Sequence, residues 1–269
     1  MNLIEIFYEK MKKQSFEAYG LLDSKNQIHT FGTDSKIIGR IFEMFTQPIL
    51  QEIANENGYV LKTPESQTVY PDFILMKSET SKEKIAIDVK STYIEKNTSS
   101  IKFTLGSFAS YMRNNIKNIE YSYTDYSKHY VIGFVYKRNV NAQESLIFDY
   151  SEKERIQFPF TDVIYFIQEK YKIAGDKPGS GNTENIGSIS STNFCDFEWG
   201  KGPFSELGQD VYNLYWSYYP KYRVHDKNYT SLPEFLTWFP KQQKLPLLYD
   251  YDEKIVMKNI EKYKAKYGL

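Results

Sequence analysis

The chain has few of the residues that form disulfides or metal-thiolate sites, with one cysteine and three histidines in 269 residues. The single Cys195 excludes an intramolecular disulfide and suits a reducing compartment. The histidines, His29, His129 and His225, are scattered and show no metal-ligand spacing. No apolar run approaches bilayer-spanning length, and the charged, amphipathic first residues show no signal-peptide core. A cytoplasmic protein without membrane contact is therefore expected.

Net charge is also absent, since 34 Lys and Arg residues balance 34 Asp and Glu residues. Nucleic-acid-binding domains are often basic, so this balance argues weakly against such a partner. It does not decide the question, because an acidic metal site offsets a basic groove in the count and loops or backbone amides can read bases. Apolar residues make up 41% of the chain, enough for the packed core of one large domain. No internal repeat or low-complexity linker divides the sequence.

The segment from Tyr70 to Thr92 carries the most chemistry in the sequence. Two apolar runs flank a polar link, Lys77 to Lys84, a pattern that predicts a β-hairpin. Because strand side chains alternate between faces, Asp88 and Lys90 are expected to point the same way. Folding back at the link can bring Asp72 opposite Asp88. Two carboxylates and an ammonium would then lie close together.

Crowded carboxylates are costly unless a cation or a proton relieves them, and a hard divalent cation prefers oxygen ligands. A metal held by Asp72 and Asp88 could activate water and polarise a phosphoryl oxygen. Lys90 could orient that water or neutralise charge in the transition state. The alternative is a surface hairpin with three ordinary charges, and the spacing alone leaves both interpretations open.

The N-terminal part of the chain predicts two helices separated by a hairpin. Apolar spacing predicts a first helix over residues 3–18, and residues 19–31 predict a hairpin whose exposed edge a partner chain could cover. Asp34 is a good N-cap for a second helix, on which Pro48 must produce a kink or start a new helix. Glu43 lies beside the apolar stripe of this helix, which by itself indicates a solvated residue.

The middle of the chain predicts strands and one further helical face. Residues 103–116 show helical spacing of apolar residues, with Arg113 and Lys117 four residues apart on another face. That pair could contact phosphates, although such pairs more often belong to a solvated face. The apolar run 130–137 predicts a buried strand. Helical patterns return in the Tyr- and Trp-rich last quarter of the chain.

A glycine-rich stretch from Gly175 to Ser188 is the second informative segment. A nucleotide P-loop needs Lys and then Ser or Thr after its last glycine, but Asn182 and Thr183 follow Gly181, so that interpretation fails. Asn can pair with adenine in a DNA major groove, Thr can touch the thymine methyl group, and glycines let backbone approach base edges. The loop alone is also typical of a flexible surface segment.

Taken together, the two segments resemble the EcoRV-like type II restriction endonucleases, a family of the PD-(D/E)xK nuclease superfamily. The resemblance runs from about Gly20 to about Trp238. Its specific pieces are GTDSKIIGRIFEMFTQPI, VYPDFILMK, KIAIDVKSTY, IKFTLG, MRNNIKNI, VIGFVY and, above all, IAGDKPGSGNTENIGSI. The superfamily motif is short and weak by itself, whereas the motif followed by this glycine-rich loop is a specific combination.

The family implies an α/β (α+β) fold with a mixed central sheet flanked by helices, within a single domain over residues 1–269. The implied parts are a dimerisation hairpin (19–32), a catalytic core (34–137), a recognition loop (175–188) and a C-terminal lobe (190–269). The part of the lobe after about residue 240 extends beyond the resemblance.

The resemblance also implies a role for individual residues. Asp72 and Asp88 match metal-binding carboxylates, Lys90 matches the catalytic lysine, and Glu43 matches a helix glutamate implied in catalysis or metal binding. DNA contacts are implied for two loops and for scattered polar residues: Gly179, Ser180, Gly181, Asn182, Thr183, Gln67, Thr68, Ser35, Lys36, Thr92, Arg113, Lys117 and Arg223.

EcoRV-like enzymes are prokaryotic homodimers that use Mg²⁺ to cut double-stranded DNA at the centre of the palindrome GATATC, which leaves blunt ends with 5′-phosphates. A cognate DNA methyltransferase protects the host. Two departures leave room for a related palindrome: Ser66-Gln67-Thr68 stands where the family has Gln-Gln-Asn, and Glu184 stands where a Thr is expected. The alternatives are a repair or structure-selective nuclease of the same superfamily and a DNA-binding protein that has lost catalysis.

Overall fold

The computed structural model describes residues 2–95, 100–179, 184–221, 223, 227–242, 245 and 250–269. Its helices are α1 (Leu3–Met11), α2 (Ser35–Asn57), α3 (Lys170–Ile173), α4 (Cys195–Glu198), α5 (Phe204–Leu207), α6 (Gln209–Tyr218), α7 (Leu232–Trp238) and α8 (Glu253–Tyr267). Its strands are β1 (Leu21–Leu22), β2 (Gln27–Phe31), β3 (Val60–Lys62), β4 (Phe73–Met76), β5 (Lys84–Ile94), β6 (Thr104–Ser107), β7 (Tyr126–Arg138), β8 (Glu144–Asp149), β9 (Phe160–Glu169), β10 (Ala174–Pro178) and β11 (Asn185–Ser188).

The central sheet has five strands in the order β3-β4-β5-β7-β9. Only the β5–β7 pair within it is parallel, and the other three pairs are antiparallel. This mixed sheet with helices packed against it confirms the predicted fold class. The predicted hairpin is β4 and β5, the predicted buried strand lies within β7, and β9 carries the sheet beyond the expected core of residues 34–137.

Alternating side chains of the sheet build a hydrophobic core on each face. Ile87 and Ile132 face one core together with Phe42 of α2. Ala86 and Val131 face the other core, which continues into the aromatic residues of the C-terminal lobe. Because Asp88 and Lys90 share the alternation of Ala86, their side chains lie on this second face.

Helix α2 begins and ends with the predicted capping residues. The Asp34 carboxylate accepts hydrogen bonds from the backbone N–H groups of Lys36 and Ile37, and Gly58 ends the helix in the left-handed conformation that glycine tolerates. Pro48 lies inside this one helix, so of the two predicted alternatives, a kink or a new helix, the new helix is excluded. Helix α1 is shorter than the predicted 3–18 and ends at Met11, before the glutamine, serine and phenylalanine of a non-helical connection.

The predicted N-terminal hairpin is present and has a third strand. Strands β1 and β2 pair around a turn in which the Asp23 carboxylate accepts the N–H groups of Lys25 and Gln27. Strand β8 pairs with the other edge of β2. The resulting small sheet, β1-β2-β8, lies outside the central sheet.

A second small sheet, in the order β10-β11-β6, carries the glycine-rich loop. The loop joins β10 to β11, and its backbone is closed by the Gly179 N–H donating to the Asn185 carbonyl at 2.8 Å. Strand β11 pairs with β6, which places Asn185 opposite Ser107. Residues 180–183 lie outside the described residues.

The predicted helical face over residues 103–116 is wrong, because β6 and a series of turns occupy this stretch. Asn114 accepts the Ile116 N–H through its side chain, and Asn118 has a positive φ of 54°. Asparagine side chains that bond nearby backbone favour turns over helix. Arg113 and Lys117 are therefore presented by turns.

The C-terminal lobe is built on an aromatic cluster around Tyr215, Trp216 and Phe235, each fully buried. Helix α8 packs Val256 and Ile260 against this core. Its last turn is fixed to the lobe by an ion pair between Lys266 and Glu206 at 2.7 Å. None of the helices in the described ranges has the length and apolar character needed to cross a bilayer.

Candidate active site

The register of β4 and β5 creates the centre of the site. Phe73 pairs with Ile87, so the next position along the hairpin sets Asp72 against Asp88. The Asp72 carboxylate is held by the backbone N–H of Val89, which donates to its Oδ2 at 2.7 Å. The predicted approach of the two carboxylates is confirmed.

Lys90 lies between the two carboxylates. Its Nζ is 2.9 Å from Asp88 Oδ1 and 3.7 Å from Asp72 Oδ2. Asp88 is 3% exposed, so this is a charge cluster at the floor of a cleft and not a solvated surface group. The interpretation of the hairpin as a surface feature is therefore wrong.

The environment pushes the two carboxylates in opposite directions. Burial, aided by the charge of Asp88, raises the pKa of Asp72 from 3.8 to about 7 against the opposing effect of Lys90. Burial also acts to raise the pKa of Asp88, but the ammonium groups of Lys90 and Lys170 outweigh it and hold the pKa below its ordinary value. The environment therefore makes Asp72 the weaker acid of the pair.

The sequence interpretation missed Lys170, the first residue of α3. Its side chain is 3% exposed, and its Nζ lies 3.7 Å from Asp88 Oδ2. Burial lowers the pKa of this ammonium to about 8. Only a three-dimensional contact reveals this lysine, because 82 positions separate it from Asp88 and its neighbours Glu169 and Lys172 make it look like part of a solvated charge run.

Two adjoining clefts open above the carboxylates and bring together many of the predicted residues. The larger, of about 580 Å³, and the smaller, of about 200 Å³, both border Asp72 and Gln67. The larger is also lined by Ser35, Lys36 and Glu43. The smaller is lined by Thr68, Asp88 and Lys90, and by Ser107 of β6, the strand that pairs with β11.

Glu43 is less closely joined to the centre than the resemblance implies. Its carboxylate is paired with the Arg40 guanidinium three residues earlier on α2. Within the described parts of the chain, no three Asp, Glu, His or Cys side chains lie close enough to hold one metal. Asp72 and Asp88 form a two-carboxylate site, and a metal-binding role for Glu43 stays a prediction.

The donor set of the centre fits a hard divalent cation. Asp72 and Asp88 offer carboxylate oxygens, the ligand type that Mg²⁺ prefers. Asp88 Oδ2 is buried and has no hydrogen-bond partner among the described residues. A buried acceptor without a donor is costly, and a bound cation would satisfy it.

Several predicted DNA-contacting residues are not among those that line the two clefts. Thr92 is half-buried on β5, and Lys117 is exposed on a turn. Arg113 is half-buried with its guanidinium over the Phe108 ring, and burial lowers its pKa. Arg223 is exposed in a turn. Ser180, Gly181, Asn182 and Thr183 lie outside the described residues.

The raised pKa of Asp72 predicts a pH-dependent stability of the metal-free protein. Its folded pKa of about 7 exceeds the ordinary 3.8, so the folded state binds the extra proton between these values. This contribution is fully present below the lower value and is lost as the pH rises through the higher one. The test is the free energy of unfolding, measured with urea in EDTA at about pH 5 and about pH 8. Raising the pH should increase the stability of Asp72→Asn relative to wild type by about 1–4 kcal/mol. Stability curves that run parallel across this range would contradict the assignment.

Paired carboxylates at adjacent strands of a mixed sheet, with a lysine two residues after the second, are the arrangement expected of a nuclease of the PD-(D/E)xK class. Comparison with known proteins then gives the family. The family model described as restriction endonuclease EcoRV matches residues 12–240. Type II restriction enzyme EcoRV of Escherichia coli is 38% identical over 245 residues, which cover 90% of this chain and 98% of that protein. The chain belongs to the EcoRV family of type II restriction endonucleases and is a site-specific deoxyribonuclease. Helix α8 lies beyond the residues that the family model matches.

Proposed function

We propose that the enzyme uses Mg²⁺ to cut double-stranded DNA at the centre of GATATC, with blunt ends and 5′-phosphates as products. The observation that carries this proposal is the buried cluster of Asp72, Asp88 and Lys90 at the floor of an open cleft. The hairpin of β10 and β11, which carries the proposed recognition loop, pairs with β6, and β6 lines the same cleft. The 38% identity to the E. coli enzyme supports the shared target.

Asp72 and Asp88 would hold Mg²⁺ through their carboxylate oxygens, while Glu43 would act on the centre through its charge or as a further ligand. Bound Mg²⁺ would supply a Lewis acid for a phosphoryl oxygen and a water of lowered pKa. Lys90 would orient the attacking water and offset the negative charge that develops on the phosphoryl oxygens. The water would lose a proton and bond to phosphorus as the bond from phosphorus to the 3′ oxygen breaks. The 3′ oxygen would take up a proton and leave as a hydroxyl group, so the phosphate would stay on the 5′ oxygen of the next nucleotide.

Sequence readout would come from the loop between β10 and β11. Asn182 can bond adenine N6 and N7, and the Thr183 methyl group can contact thymine, while Gly179, Ser180 and Gly181 let the backbone approach base edges. Gln67 and Thr68 line the cleft from another side and would follow the DNA through the minor groove. The central TA step deforms easily, so a bent complex can select it without touching its bases.

Backbone contacts would hold the duplex over the cleft. Ser35 and Lys36 line the larger cleft, so they can meet a phosphate beside the carboxylates. Thr92, Arg113, Lys117 and Arg223 would make contacts further along the DNA. Such contacts position a duplex but carry no sequence information directly.

Replacing Asn182 should weaken discrimination more than binding. Asn182→Ala should cost about 1–3 kcal/mol in selectivity at one adenine, because a good bidentate contact contributes that much. Cleavage rates on GATATC and on a duplex with that adenine replaced give the change. Asn141→Ala, at an exposed asparagine between β7 and β8, is the matched control. An equal loss of rate on both duplexes would show that Asn182 does not read a base.

The enzyme would act as a homodimer through the β1-β2-β8 sheet. Leu21, Leu22 and Ile147 are 63%, 57% and 56% exposed on this sheet, which is unusual for side chains of their size. Among the described residues, neither β1 nor β8 pairs with a further strand at its outer edge, so a second copy can cover these edges. A two-fold dimer matches the symmetry of a palindrome, with one active site for each strand.

Introducing charged residues on this surface should dissociate the dimer and reduce double-strand cleavage together. The variant Leu22→Asp/Ile147→Asp buries two carboxylates in the proposed interface, so light scattering should show a monomer. We expect double-strand cleavage to fall by at least about tenfold, equivalent to about 1.4 kcal/mol. Ile255→Asp, at a residue 53% exposed on α8, is the control. A double variant that stays dimeric would place the interface elsewhere.

The enzyme would work in a prokaryotic cytoplasm beside a DNA methyltransferase that modifies the same site. Duplexes with GATATC, with one outer base pair changed or with the central TA changed, test the proposed target in Mg²⁺ and in EDTA. We expect Mg²⁺-dependent cleavage of the first duplex alone. Cleavage directed by DNA structure would support a repair nuclease, and specific binding without cleavage would support a DNA-binding protein that has lost catalysis.

A further inference from the structure

Lys170 is held in place by groups other than the carboxylate that it faces. Its Nζ lies 4.0 Å from the centre of the Tyr70 ring and 5.6 Å from that of Tyr111, and it donates a hydrogen bond to the Tyr111 hydroxyl at 3.4 Å. The two rings stack on each other at 4.4 Å. The ammonium therefore lies against a stacked pair of aromatic rings, whose faces attract cations.

Beside these rings, the Lys170 ammonium faces the buried side of the proposed metal site. Nζ is 3.7 Å from Asp88 Oδ2, while Lys90 occupies Oδ1 at 2.9 Å. Asp72, Asp88, Lys90 and Lys170 carry two negative and two positive charges when all are ionised. Arg40 and Glu43 cancel each other in the same way. The site therefore carries no net negative charge with which to attract a divalent cation.

A structural role accounts poorly for a second buried cation at Asp88. Asp88 already has Lys90 as a counter-ion, and desolvating an additional ammonium costs free energy. A methionine of similar length would make favourable sulfur contacts with the Tyr70 and Tyr111 rings. Fold stability alone would favour such an apolar side chain.

We propose that Lys170 is a resident counter-cation that competes with divalent metal for Asp88 and makes tight metal binding depend on DNA. The inference rests on the proposed metal site. Without DNA, the ammonium repels a second cation at Asp88. A phosphate in the cleft adds negative charge, so metal binds together with the substrate. Lys170 acts through Asp88, because its positive charge offsets the charge of that carboxylate. It is therefore a positioning residue and not a catalytic one.

The test is Mn²⁺ affinity measured by calorimetry without DNA, on full-length protein with its fold checked by circular dichroism. Lys170→Met should bind Mn²⁺ at least about tenfold more tightly than wild type, because a nearby positive charge has been removed. Lys170→Arg keeps the charge and should retain wild-type affinity. Lys172→Met, a neighbouring lysine that pairs with Glu169 at 2.6 Å, is the matched control and should also be unchanged.

Unchanged or weaker Mn²⁺ affinity in Lys170→Met would overturn the inference. Lys170→Gln gives the same charge change with a polar side chain and decides the matter if the methionine variant does not fold. Adding a hydrolysis-resistant duplex should tighten Mn²⁺ binding less in Lys170→Met than in wild type. Asp72→Asn identifies the site: if wild type binds Mn²⁺ through Asp72 but Lys170→Met is unaltered, only the inference fails. If neither protein shows binding that depends on Asp72, the proposed metal site fails as well.

Discussion

Asp72→Asn should lower the rate of DNA cleavage by about 10³- to 10⁴-fold, since loss of a metal ligand removes several kcal/mol of transition-state stabilisation. The asparagine oxygen can still accept the hydrogen bond that Val89 donates to Asp72 at 2.7 Å, so the local backbone should remain in place. DNA binding measured by gel shift in EDTA should persist. Single-turnover cleavage of a cognate duplex gives the rate.

Asp72 is a cleaner test than Asp88. Removing the Asp88 carboxylate would leave both Lys90 and Lys170 as buried cations without their counter-ion, which is strongly destabilising. Asp162→Asn makes the same chemical change at an exposed carboxylate paired with Lys137, and it should keep full activity. Undiminished cleavage by Asp72→Asn would exclude Asp72 as a metal ligand.

Lys90→Met should separate metal binding from catalysis. Both carboxylates remain and a nearby positive charge is removed, so Mn²⁺ should bind at least as tightly as in wild type, whereas cleavage should fall by about 10²- to 10³-fold, as when one preorganised electrostatic donor is removed. The physical reason is the position of Nζ, which lies within 3.7 Å of both carboxylates and is aimed at their shared centre. Calorimetry and single-turnover cleavage measure the two effects separately.

The controls for Lys90 compare lysines in different settings. Lys137→Met changes an exposed lysine on the neighbouring strand β7 and should leave both affinity and cleavage as in wild type. Lys170→Met also removes a positive charge beside Asp88 and should tighten Mn²⁺ binding, so the loss of cleavage is the effect that identifies Lys90. A Lys90→Met enzyme that cleaves at the wild-type rate would contradict the assigned role.

The sequence predicted those parts of the structure that depend on local pattern. Alternation in β5 put Asp88 and Lys90 on one face, and the polar link after β4 brought Asp72 opposite Asp88. The capping residues Asp34 and Gly58 fixed the ends of α2 because their side-chain and backbone preferences act within a few residues.

Features that depend on distant contacts could not be predicted from the sequence. Strand β8 joins the N-terminal hairpin from more than a hundred residues away, and Lys170 reaches Asp88 through the fold of β9 and α3. The helix predicted over residues 103–116 is wrong for a local reason. The Asn114 side chain bonds the nearby backbone, which favours turns over the helix that the apolar spacing suggested. The same spacing is compatible with turns when the apolar residues are buried by neighbouring elements.

The central claim is that Asp72 and Asp88 form a metal-dependent centre that hydrolyses DNA at a specific palindrome. The most direct measurement digests two plasmids, one with a single GATATC and one with none, in Mg²⁺ and in EDTA, and sequences the ends. We predict blunt cleavage with 5′-phosphates at that site alone and only with Mg²⁺. Equal cutting in EDTA would contradict the metal centre, and cutting at unrelated positions on both plasmids would contradict the proposed target.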